Sequence, residues 1–126
     1  MDLIIGGAFQ GKLEYARRHF GITAADVCEC WPEKEPDFSK RCLYGYERYV
    51  LWCMRNGKEP QTSFDADKII IMNDIFCGVV PIEPEARAWR EKAGRVMSAI
   101  AANADSVTRM FCGIPKQYTC LKQEFR

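Results

Sequence analysis

The sequence predicts an α/β fold, a single mostly parallel sheet flanked by helices in three layers, with about four to five strands. Three observations carry this. Leu3-Ile4-Ile5 is an apolar run too brief for a helix and rich enough in β-branched residues for a buried strand. Lys68-Ile69-Ile70-Ile71-Met72-Asn73-Asp74 holds a longer uninterrupted run, fit for the centre of a parallel sheet covered on both faces. Around these two, helical patterns alternate with short strands, the order that βαβ units produce.

In chain order, two glycines break the first strand, and Gly11-Lys12 opens a helix with Leu13, Ala16 and Phe20 at helical spacing. Gly21 is placed to stop it. Ala25 to Trp31 reads as a short, weaker second strand with Glu29 near its C-terminal end, and Pro32 to Phe38, broken twice by proline, reads as a loop. Ser39 is positioned to cap the next helix, in which Leu43, Tyr46, Val50, Leu51 and Met54 fall at helical intervals before Asn56-Gly57 ends it. The Lys68–Asp74 strand follows a polar connection and ends in Asn73 and Asp74, at the carboxyl edge where open α/β sheets bind ligands. Gly78-Val79-Val80-Pro81 reads as a loop. Pro84 and Glu85 start the longest helix, striped by Ala86, Trp89, Ala93, Val96, Met97, Ile100 and Ala104. Ser106 to Phe111 is a fourth strand, followed by Gly113-Ile114-Pro115 and a polar tail from about residue 116.

The 126 residues suffice for one domain over 1–126, with a core that needs no staples. A net charge of +1 gives no bulk attraction to nucleic acid or to an anionic membrane, so neither is an expected partner. No apolar run reaches membrane-span length, and Met1-Asp2 leads directly into the first strand without a signal-peptide pattern; the expectation is a cytoplasmic protein. Seven cysteines include one close pair, Cys28-x-Cys30, but no C-x-x-C pair or His/Cys cluster at zinc spacing. The others, Cys42, Cys53, Cys77, Cys112 and Cys120, sit mostly in apolar stretches, where a free thiol behaves as a small hydrophobe.

The chemistry concentrates at Gly6-Gly7-Ala8-Phe9-Gln10-Gly11-Lys12, a G-x-x-x-x-G-K between strand and helix, the context that a phosphate-binding P-loop requires. Glycines let backbone N–H groups turn inward, the helix start contributes a positive dipole end, and Lys12 supplies a point charge for terminal phosphates. Leu13 stands where the motif has a Ser or Thr hydroxyl for magnesium. An ordinary βα turn carries glycines for packing alone, and this alternative stays open for the loop taken by itself.

Ile69 to Pro115 resembles the C-terminal half of the adenosylcobinamide kinase / adenosylcobinamide-phosphate guanylyltransferase family. The pairs that carry the likeness occur in family order: Asn73-Asp74, Gly78-Val79-Val80-Pro81, Ala86-Arg87, Gly94-Arg95, Ala104-Asp105 and Gly113-Ile114-Pro115. Gly6, Gly7, Gly11 and Lys12 match the family's opening loop, and Glu29 in Cys28-Glu29-Cys30 falls near a family strand aspartate followed by cysteine. The resemblance implies a P-loop domain that binds ATP or GTP with Mg²⁺ and phosphorylates a corrinoid hydroxyl. Family members are longer, and the material absent here holds the histidine that is guanylylated in bifunctional members. His19, the sole histidine, lies in the first helix and outside such a stretch, so guanylyltransferase activity is expected to be lost. Met97-Ser98 replaces a family N-Q pair. Relatives form trimers, which implies a homo-oligomer.

The candidate site is then Gly6, Gly7, Ala8, Phe9, Gln10, Gly11, Lys12 and Leu13 around the phosphates, with Asn73 and Arg95 as further nucleotide contacts. Lys12, Glu29 and Asp74 are the candidate catalytic residues, and Glu29 and Asp74 the candidate ligands of a weakened Mg²⁺ site. Each has a plainer alternative. Asp74 can cap a turn, Asn73 can bond its own backbone, and Arg87 and Arg95 can be solvated helix charges. Trp31, Trp52 and Trp89 are expected in the core or an interface, and Tyr44, Tyr46 and Tyr49 are a possible oligomer contact. A degenerate relative that binds nucleotide or corrinoid without catalysis, as a sensor, is the alternative function.

Overall fold

Strand β1 (Asp2–Gly6) leads through the glycine-rich turn into helix α1 (Lys12–Phe20), the first of three helices in a computed structural model that describes residues 1–8, 10–75 and 82–118. Phe9, Cys77, Gly78-Val79-Val80-Pro81 and Cys120 lie outside the described residues. A 3₁₀ turn (Ala24–Asp26) precedes β2 (Val27–Glu29), and then come β3 (Cys42–Tyr44), α2 (Tyr46–Arg55), β4 (Ile69–Asn73), α3 (Pro84–Asn103), β5 (Ser106–Phe111) and β6 (Ile114–Tyr118). The sheet runs β2-β3-β4-β1-β5-β6, parallel throughout except that β6 is antiparallel to β5.

The two central strands explain the layers. In β4, Ile70 and Met72 face the core made with Tyr46, Tyr49, Val50 and Cys53 of α2 and Ala93, Val96 and Ile100 of α3. Ile69 and Ile71 face the opposite side, packing with Ile4, Cys42, Met110 and Ala16 of α1. Both faces are covered, so β4 has no polar face to show, and its sequence reads as one apolar run. The expected α/β class, three layers and mostly parallel sheet are those of the structure.

Six strands stand among the described residues, against the expected four to five. Strand β3 falls inside what reads as the second helix, because Leu43 lies three residues before Tyr46 and mimics helical spacing. In the structure it pairs with Cys28 and Ile70 across β2 and β4. Ser39 therefore does not cap that helix; its N–H and hydroxyl both donate to Asp37 Oδ1, at 2.9 and 2.6 Å, closing a turn before β3. Strand β6 occupies what reads as tail. Its five residues are all exposed, so no burial pattern marks it, and Pro115 is tolerated on this outer strand. A two-residue turn joins it to β5, with Cys112 and Gly113 both at positive φ, 51° and 78°.

Connections leave neighbouring strands on opposite faces. From β1 the chain crosses by α1 to the β2 edge; from β3 and β4 it returns by α2 and α3 on the other face. Strands β1 and β4 are adjacent, and the helices that follow them, α1 and α3, lie on opposite faces, which leaves a gap at their carboxyl ends, the usual ligand position in such sheets.

Candidate active-site crevice

A crevice of about 700 Å³ opens at that gap. The β1–α1 loop supplies Ala8, Gln10 and Gly11, and the first turn of α1 Lys12, Leu13 and Glu14; Glu29 and Tyr44 come from the ends of β2 and β3; Glu47 and Arg48 from the first turn of α2; Asn73 and Ile75 from the end of β4; and Trp89 from α3.

Gly6 ends β1 where an added Cβ would stand 2.7 Å from the Met110 carbonyl oxygen, so only glycine lets the loop begin this close to β5. The loop is fastened from the same side. Gln10 accepts the Cys112 N–H on its side-chain oxygen and the Gly113 N–H on its carbonyl at 3.2 Å, tying the loop to the β5–β6 turn. Gly11 is in the left-handed region and starts α1. Lys12 is 4% exposed, and its ammonium donates to the Gly7 carbonyl, curling over the loop. Burial holds the Lys12 pKa below the usual 10.5, partly opposed by the charge of Glu47.

Glu47 is 3% exposed and is the group around which this wall is built. Its carboxylate accepts the Asn73 backbone N–H at 2.9 Å and the Asn73 side-chain amide at 3.1 Å, and its carbonyl accepts Trp89 Nε1–H at 2.7 Å. Standing in the first turn of α2, the carboxylate is also favoured by the helix dipole. Arg48 lies alongside with its guanidinium 4.5 Å from the Trp31 ring centre and 5.8 Å from that of Tyr44.

The structure thus brings Ala8, Gln10, Gly11, Lys12, Leu13, Glu29 and Asn73 to one crevice. Gly6 and Gly7 precede the lining part of the loop, the Gly6 carbonyl accepting the Asp74 N–H and the Gly7 carbonyl the Lys12 ammonium. Asn73 bonds Glu47 rather than its own backbone. Asp74 stands at the foot of the loop, its N–H donating to the Gly6 carbonyl at 2.7 Å, while its carboxylate lies 3.8 Å from Arg109 and does not line the crevice. Arg95 is on the exposed face of α3, paired with Glu91, also away from the crevice. Trp31 is 41% exposed and stacks on Arg48, and Trp89 lines the crevice, so neither is simple core. Tyr46 and Tyr49 are buried in the core rather than offered to an oligomer contact, the Tyr46 hydroxyl donating to the Gln61 carbonyl at 2.7 Å. Burial pushes the Cys42 thiol up to about 12 and the Cys30 thiol up as well, as expected of apolar fillers, whereas Cys112 is exposed in its turn.

Magnesium fits this crevice poorly. Leu13 lines the wall with hydrocarbon where a hydroxyl ligand would stand, Glu29 is 3.6 Å from Arg48, and Asp74 faces Arg109. Among the described residues no three His, Cys, Asp or Glu side chains group as metal ligands.

Glu47 and Arg48 escape a reading of the sequence because the strand before them is read as helix, which blurs the register of the first turn. A signal was present: a carboxylate amid Tyr46, Tyr49, Val50 and Leu51, one residue into a helix that follows Gly45.

Fold and crevice together define a doubly wound α/β protein with a crevice at the carboxyl edge of a mostly parallel sheet, beside a glycine loop and a helix start. The chain belongs to the cobinamide kinase / cobinamide phosphate guanyltransferase family, whose model matches residues 40–118. The matched part contains Glu47, Asn73, Asp74 and Arg95 and leaves the Gly6–Lys12 loop outside it. A comparison with curated proteins finds no match. No helix among the described residues is long and apolar enough to cross a membrane.

Proposed function

We propose that this protein binds ATP or GTP in the crevice and transfers the terminal phosphate to a corrinoid side-chain hydroxyl, the kinase half of the family chemistry. One observation carries the reading: the G-x-x-x-x-G-K loop, which lies outside the family match, opens into the same crevice as the family-matched Asn73. The loop amides from Gly6 to Gly11, Phe9 included, and the start of α1 would hold phosphate oxygens, and Lys12 would leave the Gly7 carbonyl for them. In the transfer, the bond from the terminal phosphorus to its bridging oxygen breaks as the acceptor oxygen bonds to phosphorus. Glu29, which lines the crevice and is more exposed than Glu47, would take the acceptor's proton. Asp74 would support the loop from beneath, through its N–H to the Gly6 carbonyl.

Loss of the guanylyltransferase half is supported by the placement of His19, which stacks against Tyr15 on α1 with ring centres 5.1 Å apart. Self-association would draw on Phe111, Ile114 and Tyr118, the exposed apolar side chains of the β5–β6 hairpin. Leu13 favours a second reading, nucleotide binding without turnover. Thermal melting with ATP and GTP, with and without Mg²⁺, tests the site; ligand at a hundred times its Kd stabilises by about 2.7 kcal/mol. A shift that Lys12→Ala abolishes supports binding, and phosphate transfer to adenosylcobinamide separates kinase from sensor. No shift with either nucleotide sinks both readings.

A further inference from the structure

Arg48 keeps one buried donor, Nε–H, that no acceptor among the described residues satisfies. Its guanidinium folds back over Gly45, where an added Cβ would come 2.1 Å from one terminal nitrogen and 2.6 Å from Nε. Gly45 sits at φ 77°, a conformation and a space that only glycine supplies comfortably. The folded-back position puts a cation at the start of α2, the positive end of the helix dipole, and in the same crevice as the ammonium of Lys12. Its Nε is buried with no hydrogen-bond partner among the described residues. The nearest carboxylate oxygens, on Glu29 and Glu47, are at 3.6 and 3.9 Å, close enough for charge attraction and too far for hydrogen bonds. A guanidinium whose buried Nε–H has no acceptor, lining the same crevice as a second cation, is the arrangement of an anion site.

We infer that Arg48, seated on Gly45 and backed by Trp31, is a second phosphate ligand of the crevice, which with Lys12 grips the terminal phosphate of a nucleoside triphosphate and takes over charge neutralisation from loop-bound magnesium. The inference rests on the nucleotide reading above and deepens it. Lys12 reaches from the loop side and Arg48 from the α2 side, so the two cations bracket the gap between β1 and β4. Glu29, which lines the crevice and is partly exposed, is the partner that yields when a phosphate arrives, and its release leaves it facing the acceptor. Glu47 stays fixed by its two bonds from Asn73. The fork of a guanidinium matches phosphate oxygens two at a time, which an ammonium cannot do.

The test measures binding of ATP, GTP, ADP, GDP and inorganic tripolyphosphate by calorimetry, with EDTA and with Mg²⁺, on the whole chain and on Arg48→Ala, Arg48→Lys and Lys12→Ala. The expected result is triphosphate binding that persists in EDTA and weakens roughly ten- to a hundredfold in Arg48→Ala, the range of a charge-assisted hydrogen bond. Diphosphate affinity changes little in that variant, while Lys12→Ala weakens both. A merely structural Arg48 would lower the unliganded melting temperature and leave the tri- to diphosphate ratio alone. Arg48→Lys, which keeps the charge and changes the packing least, guards against a misfolded alanine variant and should still lose part of that ratio. If nucleotides bind equally to wild type and both Arg48 variants, the inference is overturned and the nucleotide reading stands. If only tripolyphosphate binds, and Arg48→Ala weakens it, the anion site stands and the nucleotide reading falls. If none of the five ligands binds, both fall.

Discussion

Lys12 is a charged side chain in a position that disfavours its charge, with a carbonyl as its partner and burial lowering its pKa. Lys12→Met should therefore melt at the same temperature as the wild type or higher, while losing the nucleotide-induced shift. A variant less stable by several degrees without ligand would show that the Gly7 contact supports the loop and is no store for later use. Glu47 carries the opposite expectation. Glu47→Ala leaves the Asn73 N–H and amide without their acceptor in a buried wall, a loss of about 1–3 kcal/mol measurable by urea unfolding. Lys12 could be read directly, because its motif is local in sequence. Glu47 could not, because what makes it special is a partner 26 residues away.

Elements show where patterns fail. Strand β4 announces itself, since two helical layers demand an apolar residue at every position; Ile71→Ala should cost about 2–5 kcal/mol, and a change below 1 kcal/mol would contradict its full burial. Strands β3 and β6 stay silent for opposite reasons. The first has three residues, fewer than one full alternation can reveal, and the second buries nothing, so its pairing with β5 leaves no trace in hydrophobicity. The silent hairpin nonetheless fixes the loudest motif, through the two bonds at Gln10. Gln10→Ala should speed hydrogen exchange at the Cys112 amide and at the loop, with nucleotide affinity falling several-fold. Unchanged exchange would mean that backbone contacts alone hold the loop.

At the scale of the whole molecule, pH acts on the core before it acts on the surface. Burial raises the pKa of Cys30, Cys42 and Cys53 above their ordinary 9.0 and of Tyr46 and Tyr49 above 10.0. Groups raised in this way contribute stability in full below the unfolded value, and lose it as pH climbs past that value while the folded state keeps its protons. Lys12 works in reverse, because its folded pKa is depressed: its destabilisation is relieved as pH rises toward 10.5. Five groups oppose one, so the urea midpoint should hold near neutrality and fall from about pH 9 upward. A midpoint that rises between pH 9 and 10.5 would overturn this ordering. The layered architecture and the position of the crevice were legible because alternation and apolar runs record which faces are covered. The charged wall opposite the loop was not, since it is assembled from β2, α2 and β4 by the topology alone.

Gly45 and the side chain it shelters are unequally bound in descent. A methyl group at position 45 collides with the guanidinium of residue 48. The dependence runs one way: the left-handed backbone at position 45 favours glycine whatever stands at 48, whereas the arginine keeps its folded-back place only while 45 carries no side chain. A chain carrying alanine at 45 with arginine at 48 would have had to turn that arginine away from the crevice.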